Sequence, residues 1–205
     1  MLGNSHKATA VALAPLFLLP IKTPFEAINM FFTTHNSYIE QLHSLSRGEL
    51  GANIFILVIS ALVFARLPDI DLRFKAFLPK EKRHLRYLYH RQETHGILVW
   101  LIIWIVGIGY ISGRFNIFVS SAYIGFIAGG ITHIFGDILT GSVPIGFRGH
   151  YGKKWERFGI VSFFPKSMHT LFTEKLSAWF EQNLWVWFII GGFVYYHVIS
   201  KIAAG

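Results

Sequence analysis

Five long apolar runs constrain this 205-residue chain more than any other feature of its sequence. They cover residues 8–20, 51–67, 96–111, 117–139 and 184–199. A helix needs about 20 apolar residues to cross a bilayer, within a range of roughly 17–25. The second, fourth and fifth runs have that length, whereas the third is slightly short and is expected to begin before His95. The first run is shorter still and contains Pro15, so it can also form a re-entrant or tilted segment.

The composition agrees with a chain that is embedded in a membrane. Hydrophobic residues make up 53% of it and charged residues 15%, whereas about a quarter of an average soluble domain is charged. The sequence therefore predicts an all-α fold, a polytopic membrane helical bundle with four to five transmembrane helices. We expect one integral membrane domain over residues 1–205, in which 146–183 form a cytoplasmic amphipathic loop and 184–205 the last transmembrane helix.

The basic residues predict which side of the membrane each loop occupies. The chain has a formal charge of +8, and residues 66–94 carry a net +4 while residues 140–183 carry a net +3. Two apolar runs separate these loops, so both lie on the same side. Because short cytoplasmic loops of membrane proteins are enriched in Lys and Arg, we expect that side to be the cytoplasm.

Histidine and aspartate residues gather where the apolar runs meet the basic loops. The chain has ten histidines and no cysteine, which excludes disulfides, thiolate zinc sites and cysteine nucleophiles. The residues at the run ends are His6, Asp69, Asp71, His90, His95, His133 and Asp137. Because these runs all end at one membrane face, the sequence predicts a metal site at the cytoplasmic end of the bundle.

His133 and Asp137 carry the strongest signal of this set. They are four residues apart within an apolar run, so their side chains share one helix face. Ionisable groups inside a membrane are costly and usually face the bundle interior with a partner. Imidazole and carboxylate ligands suit zinc, manganese or iron. The alternative is a hydrogen-bonded His–Asp pair that ties two helices together without a metal.

The other members of the set are weaker when each is taken alone. Pro68 is expected to stop the second helix, which places Asp69 and Asp71 in a turn where both can face one ion. They could equally be solvated carboxylates at a helix end. His90 and His95 could bind metal or cap the entrance of the third helix.

The order of these motifs resembles the YdjM-type family of bacterial inner-membrane proteins. The family pattern has Gly-x-x-His, Leu-Pro-Asp-x-Asp, His-Arg-Gly-x-Thr-His and Gly-x-x-x-His-x-x-x-Asp-x-x-Thr, often followed by Val-Pro. Here the matching segments are 3–6, 67–71, 90–95, 129–140 and 143–144, with Gln92 where the family usually has glycine. The resemblance covers residues 3–145 and implies that 1–145 form the metal-site core of a membrane-bound, metal-dependent hydrolase.

The pattern is also distantly similar to zinc-dependent phospholipase C and related single-strand nucleases. Those helical enzymes bind clustered zinc through His, Asp and a His-x-x-x-Asp helix, which corresponds here to His133 and Asp137. The similarity implies one or two divalent ions, zinc in the first place and manganese as an alternative, with Asp137 as a bridge between two ions.

These observations favour hydrolysis of a phosphoester in a membrane lipid or a lipid-linked anionic substrate. We expect Arg91 to bind the anion, and Asp71 or Glu93 to act as general base. Two alternatives remain open, a transporter of metal ions or protons and a non-catalytic membrane partner protein with a structural metal. Nucleic-acid binding is not favoured, because mixtures of aromatic and basic residues are ordinary at membrane surfaces. The sequence does not indicate an oligomeric state.

Overall fold

The computed structural model describes most of the chain and is helical almost throughout the described part. The described residues are 3–69, 95–112, 114–140, 143–144, 160–161 and 169–204. The α-helices are α1 Gly3–Leu13, α2 Glu26–Phe31, α3 Thr33–His43, α4 Arg47–Phe64, α5 Ile97–Ser112, α6 Ile117–Thr140, α7 His169–Gln182 and α8 Trp185–Ala204. A 3-10 helix, Ala14–Leu18, follows α1, and β1 Val143–Pro144 pairs antiparallel with β2 Ile160–Val161. The predicted all-α bundle is confirmed.

Three described helices are long and apolar enough to cross a membrane. They are Arg47–Phe64, Ile117–Leu139 and Trp185–Ile202, and they correspond to the second, fourth and fifth apolar runs. The third run forms the 16-residue helix α5. The prediction that this helix begins before His95 is wrong, because α5 begins at Ile97 after Gly96, a residue with poor helix propensity. The first run does not form one continuous α-helix, since α1 gives way to the 3-10 helix that contains Pro15.

Helix α6 lies at the centre of the bundle and packs against α4, α5 and α1. Its close approach to α4 depends on glycine. A Cβ atom at Gly125 would collide with the Leu57 carbonyl oxygen, and one at Gly129 would lie 2.6 Å from the carbonyl oxygen of Ala61. Small residues at such contacts allow membrane helices to pack backbone to backbone. The last turns of α6 are thereby held against the end of α4.

The remaining helices pack around this pair. α1 contacts α8, α6 and α4, while α3 packs on α5. A buried polar network ties α3, α4 and α6 together: the hydroxyls of Tyr38 and Ser121 are 2.9 Å apart, and Ser121 donates to Oδ1 of Asn53 at 2.6 Å. Buried polar groups need such partners, because an unpaired one costs free energy in an apolar interior.

Helix α4 ends at Phe64, four residues before Pro68. This agrees with the prediction that Pro68 stops the second helix. The residue that precedes a proline is disfavoured in the helical conformation, and the chain turns after Phe64. In this turn, the Leu67 N–H donates to the Phe64 carbonyl at 2.9 Å and the Asp69 N–H donates to the Arg66 carbonyl at 3.1 Å. The turn brings Asp69 back towards α6.

We expect Gly125→Ala to destabilise the protein by about 1–3 kcal/mol, the usual cost of an overpacked contact, because the new Cβ collides with backbone of α4. Gly51→Ala on α4 is the matched control, since a Cβ there meets nothing within 4 Å. Thermal unfolding in detergent, followed by circular dichroism, measures both. Equal midpoints for the two variants would contradict the glycine-dependent packing.

Candidate metal site

Five of the seven predicted metal ligands meet at one end of the bundle. His6 comes from the first turns of α1, Asp69 from the turn after α4 and His95 from the residues before α5, while His133 and Asp137 come from α6. The three histidines and Asp137 are each at most 1% exposed, whereas Asp69 is 27% exposed. The site is therefore enclosed by the helices on most sides and borders the surface at Asp69.

The distances between these side chains are longer than hydrogen bonds and suit an ion between them. Nε2 of His95 lies 3.4 Å from both Oδ1 of Asp69 and Oδ2 of Asp137, and Nε2 of His133 lies 3.5 Å from the same two atoms. Nε2 of His6 is 3.6 Å from Oδ1 of Asp137. Two ligand atoms each about 2.1 Å from a tetrahedral ion are about 3.4 Å apart. The spacing and the donor atoms therefore fit a divalent metal.

Two overlapping sets of residues could hold the ion, and both contain His133. One set is His6, Asp69 and His133, and the other is His95, His133 and Asp137. The Nδ1 atom of His133 lies 2.7 Å from the carbonyl oxygen of Ala65, which can only accept a hydrogen bond. Nδ1 therefore carries a proton, which leaves Nε2 as the nitrogen that can bind a metal, the arrangement typical of a metal-bound histidine. A single nitrogen of His133 can bind only one ion. The two sets therefore describe either alternative positions of one metal or one metal bound by residues of both sets.

The rings and carboxylates are in states that suit ligation. The His6 and His133 rings are stacked, with centroids 3.7 Å apart and an interplanar angle of 15°. His6 lies outside the candidate spans, and its burial, together with the neighbouring His133, lowers its pKa to about 3. Burial acts to raise the pKa of the Asp69 carboxyl, but the neighbouring imidazoles of His133 and His95 outweigh it and hold that pKa below its usual range. His6 is thus a neutral imidazole and Asp69 a carboxylate.

Four of the predicted site residues lie outside the described residues. They are the two proposed metal ligands Asp71 and His90, the anion-binding Arg91 and the candidate base Glu93. Their roles remain predictions.

Glu181 belongs to the surroundings of the site and was not predicted from the sequence. It lies in the last turn of α7, where its Oε2 accepts a hydrogen bond of 2.9 Å from the Ser5 N–H and a second one from the Ser5 hydroxyl. Ser5 is in the first turn of α1, directly before His6. A carboxylate at a helix N-terminus pairs with free N–H groups and with the helix dipole, so Glu181 fixes the end of α1 that carries His6.

We expect Glu181→Ala to lower the free energy of unfolding by about 1 kcal/mol, the usual cost of losing a helix cap, and to weaken zinc binding through His6. Glu181→Gln keeps an acceptor oxygen and should restore part of the zinc affinity. Glu40→Ala, which removes an exposed carboxylate of α3, is the control. Thermal unfolding and a competitive zinc titration measure the effects. Zinc affinity equal to that of Glu40→Ala would exclude the positioning role.

The comparison with known proteins identifies the family of the chain. The YdjM inner membrane protein family matches residues 1–203. The match extends beyond residues 3–145, where the motifs lie, and includes the segment that contributes Glu181. No curated protein and no solved structure matches the chain. The chain belongs to the YdjM inner membrane protein family.

Proposed function

We propose that the protein is a membrane-embedded, metal-dependent hydrolase that cleaves a phosphoester of a lipid or a lipid-linked substrate. The observation that carries the proposal is the convergence of three imidazoles and two carboxylates, from four separate segments, with ligand atoms 3.4–3.6 Å apart. A single hydrogen-bonded His–Asp pair would be enough to tie two membrane helices together, whereas this site contains five ionisable side chains.

The unequal exposure of the carboxylates supports catalysis over a purely structural metal. Structural zinc sites are closed by protein ligands, whereas catalytic sites keep a position open for water or substrate. Asp137 is buried, but Asp69 is 27% exposed, so an anion can approach from its side. A divalent metal held by these residues would supply Lewis-acid chemistry and would lower the pKa of water at the open position.

The protein's own residues then divide the remaining tasks. His133 is oriented by Ala65, and Asp137 lies beside all three histidines, so these two hold the ligand set together. Arg91 binds the substrate phosphate, and Asp71 or Glu93 takes a proton from the attacking water. Zinc is the metal we propose, because the spacing fits tetrahedral coordination by nitrogen and oxygen, with manganese as the alternative.

The location of the site supports a membrane substrate. The site lies at the ends of α4 and α6. Because helices of this length cross the hydrocarbon core, their ends are expected at the depth of the lipid headgroups. The basic loops predicted on the same side favour an anionic substrate and support a site on the cytoplasmic side.

Transport is supported less well by the other buried polar residues. In the described part of the chain, the one further buried histidine is His35, whose Nε2 lies 3.3 Å from the Leu19 carbonyl oxygen and whose ring packs edge-on against Trp104. Buried carboxylates that would continue a pathway from the site across the bundle are not found among the described residues.

We expect the purified protein with zinc to release phosphate or a phosphorylated headgroup from lipid phosphomonoesters or phosphodiesters in mixed micelles. Asp137→Asn should reduce the rate by about 100-fold or more, since even residues that only support a metal ligand cost about 10–100-fold. Arg91→Gln should raise KM more than it lowers kcat. The control is His197→Gln, a change on the exposed side of α8. Equal rates for Asp137→Asn and His197→Gln would exclude metal-dependent hydrolysis at this site.

A further inference from the structure

An apolar groove lies between α1, α4 and α8, outside the metal site. It has a volume of about 320 Å³, and its lining includes Lys7, Val11, Leu62, Trp187, Gly192 and Tyr195. At 100° per residue along a helix, Val11 lies about 140° around α1 from His6. The groove and the metal site are therefore on different sides of the same helix.

We propose that this groove binds one acyl chain of an anionic phospholipid, whose phosphate lies against the Lys7 ammonium. The inference does not depend on the metal or on the proposed hydrolysis. The volume is at the lower end of the range of about 300–1,000 Å³ for ligand pockets, so it suits a single chain better than a complete two-chain lipid.

The depth of the groove in the membrane argues for a lipid occupant. The start of α1 lies near the start of α8, because Ser5 contacts Glu181 just before α8 while Ala12, further along α1, lies against Gly191. The Lys7 end of the groove is therefore near the exposed Trp185 at the start of α8, and tryptophan is enriched at membrane–water interfaces. From there the lining continues along α8 to Tyr195, within the candidate span Trp185–Ile202. A chain anchored at the interface and running into the bilayer follows the same path.

The charge at the interface end selects the headgroup. Lys7 is the one charged residue of the lining, and none of the described carboxylates forms an ion pair with it. A lysine at the membrane surface attracts anionic lipids, while its aliphatic stem packs on apolar surface. A zwitterionic lipid would gain the apolar contacts but less of the attraction to Lys7.

Gly192 offers a direct way to close the groove. A Cβ at this position meets nothing within 4 Å, and Gly192 lines the groove, so we expect the side chain of Gly192→Leu to occupy part of the groove. Gly109→Leu is the matched control, because Gly109 is also a helical glycine with open space around it, but it lies on α5 outside the groove.

Native mass spectrometry of the detergent-purified protein tests the proposal, with phosphatidylglycerol and phosphatidylcholine of the same chains as probes. We expect the wild type and Gly109→Leu to retain one phosphatidylglycerol in preference to phosphatidylcholine. Gly192→Leu should bind both lipids about tenfold more weakly, because its side chain replaces at least about two buried methylene groups of the lipid chain.

Lys7→Gln separates headgroup selection from chain binding. It should lower the preference for phosphatidylglycerol about fivefold, the size of one lysine's attraction to an anionic surface, whereas Lys201→Gln at the other end of α8 should not change it. Lipid retention by Gly192→Leu equal to that of Gly109→Leu would overturn the proposal. An unchanged lipid preference in Lys7→Gln would also overturn the proposal. Because Lys7 is partly exposed, we expect this substitution to leave the fold intact.

Discussion

The structure depends on placing a carboxylate, Asp137, where almost no water reaches it. Asp137 is 1% exposed and lies in a largely apolar helix. A charge in such a place is tolerated only when partners compensate for its lost hydration. His6, His95 and His133 provide that compensation from three directions. Because two of them lie on other segments, the site also holds the end of the bundle together.

The residues that surround Asp137 are positioned mainly by close contacts between the backbones of α4 and α6. Gly125 and Gly129 let α4 approach α6 so closely that the carbonyl of Ala65 reaches Nδ1 of His133. That hydrogen bond sets the tautomer of His133 and directs its other nitrogen towards Asp69. A lone pair with two neighbouring carboxylates is the combination that a divalent cation binds. The same arrangement without a cation would leave His133 at 3.5 Å from both carboxylates, which is longer than a good hydrogen bond.

The sequence predicts the parts of this arrangement that have a local signal. Run lengths predict the spans, and the four-residue spacing predicts that His133 and Asp137 share a face. His6 and His95 stand at the ends of apolar runs that reach the same membrane face, which predicts that they lie near His133 and Asp137. The contact of Glu181 with Ser5 spans 176 residues and has no periodicity or motif behind it. The role of the Ala65 carbonyl cannot be predicted from the sequence either, because every residue type has a backbone carbonyl oxygen.

Metal content of the purified protein tests the central claim most directly. The protein should be prepared with zinc and manganese present and without chelator, and its metal measured by inductively coupled plasma mass spectrometry. We expect about one divalent ion per chain in the wild type and in His197→Ala, whose side chain is on the exposed side of α8. His133→Ala and Asp137→Ala should each lose that ion while remaining folded. A folded wild-type protein without a stoichiometric divalent metal would contradict the account.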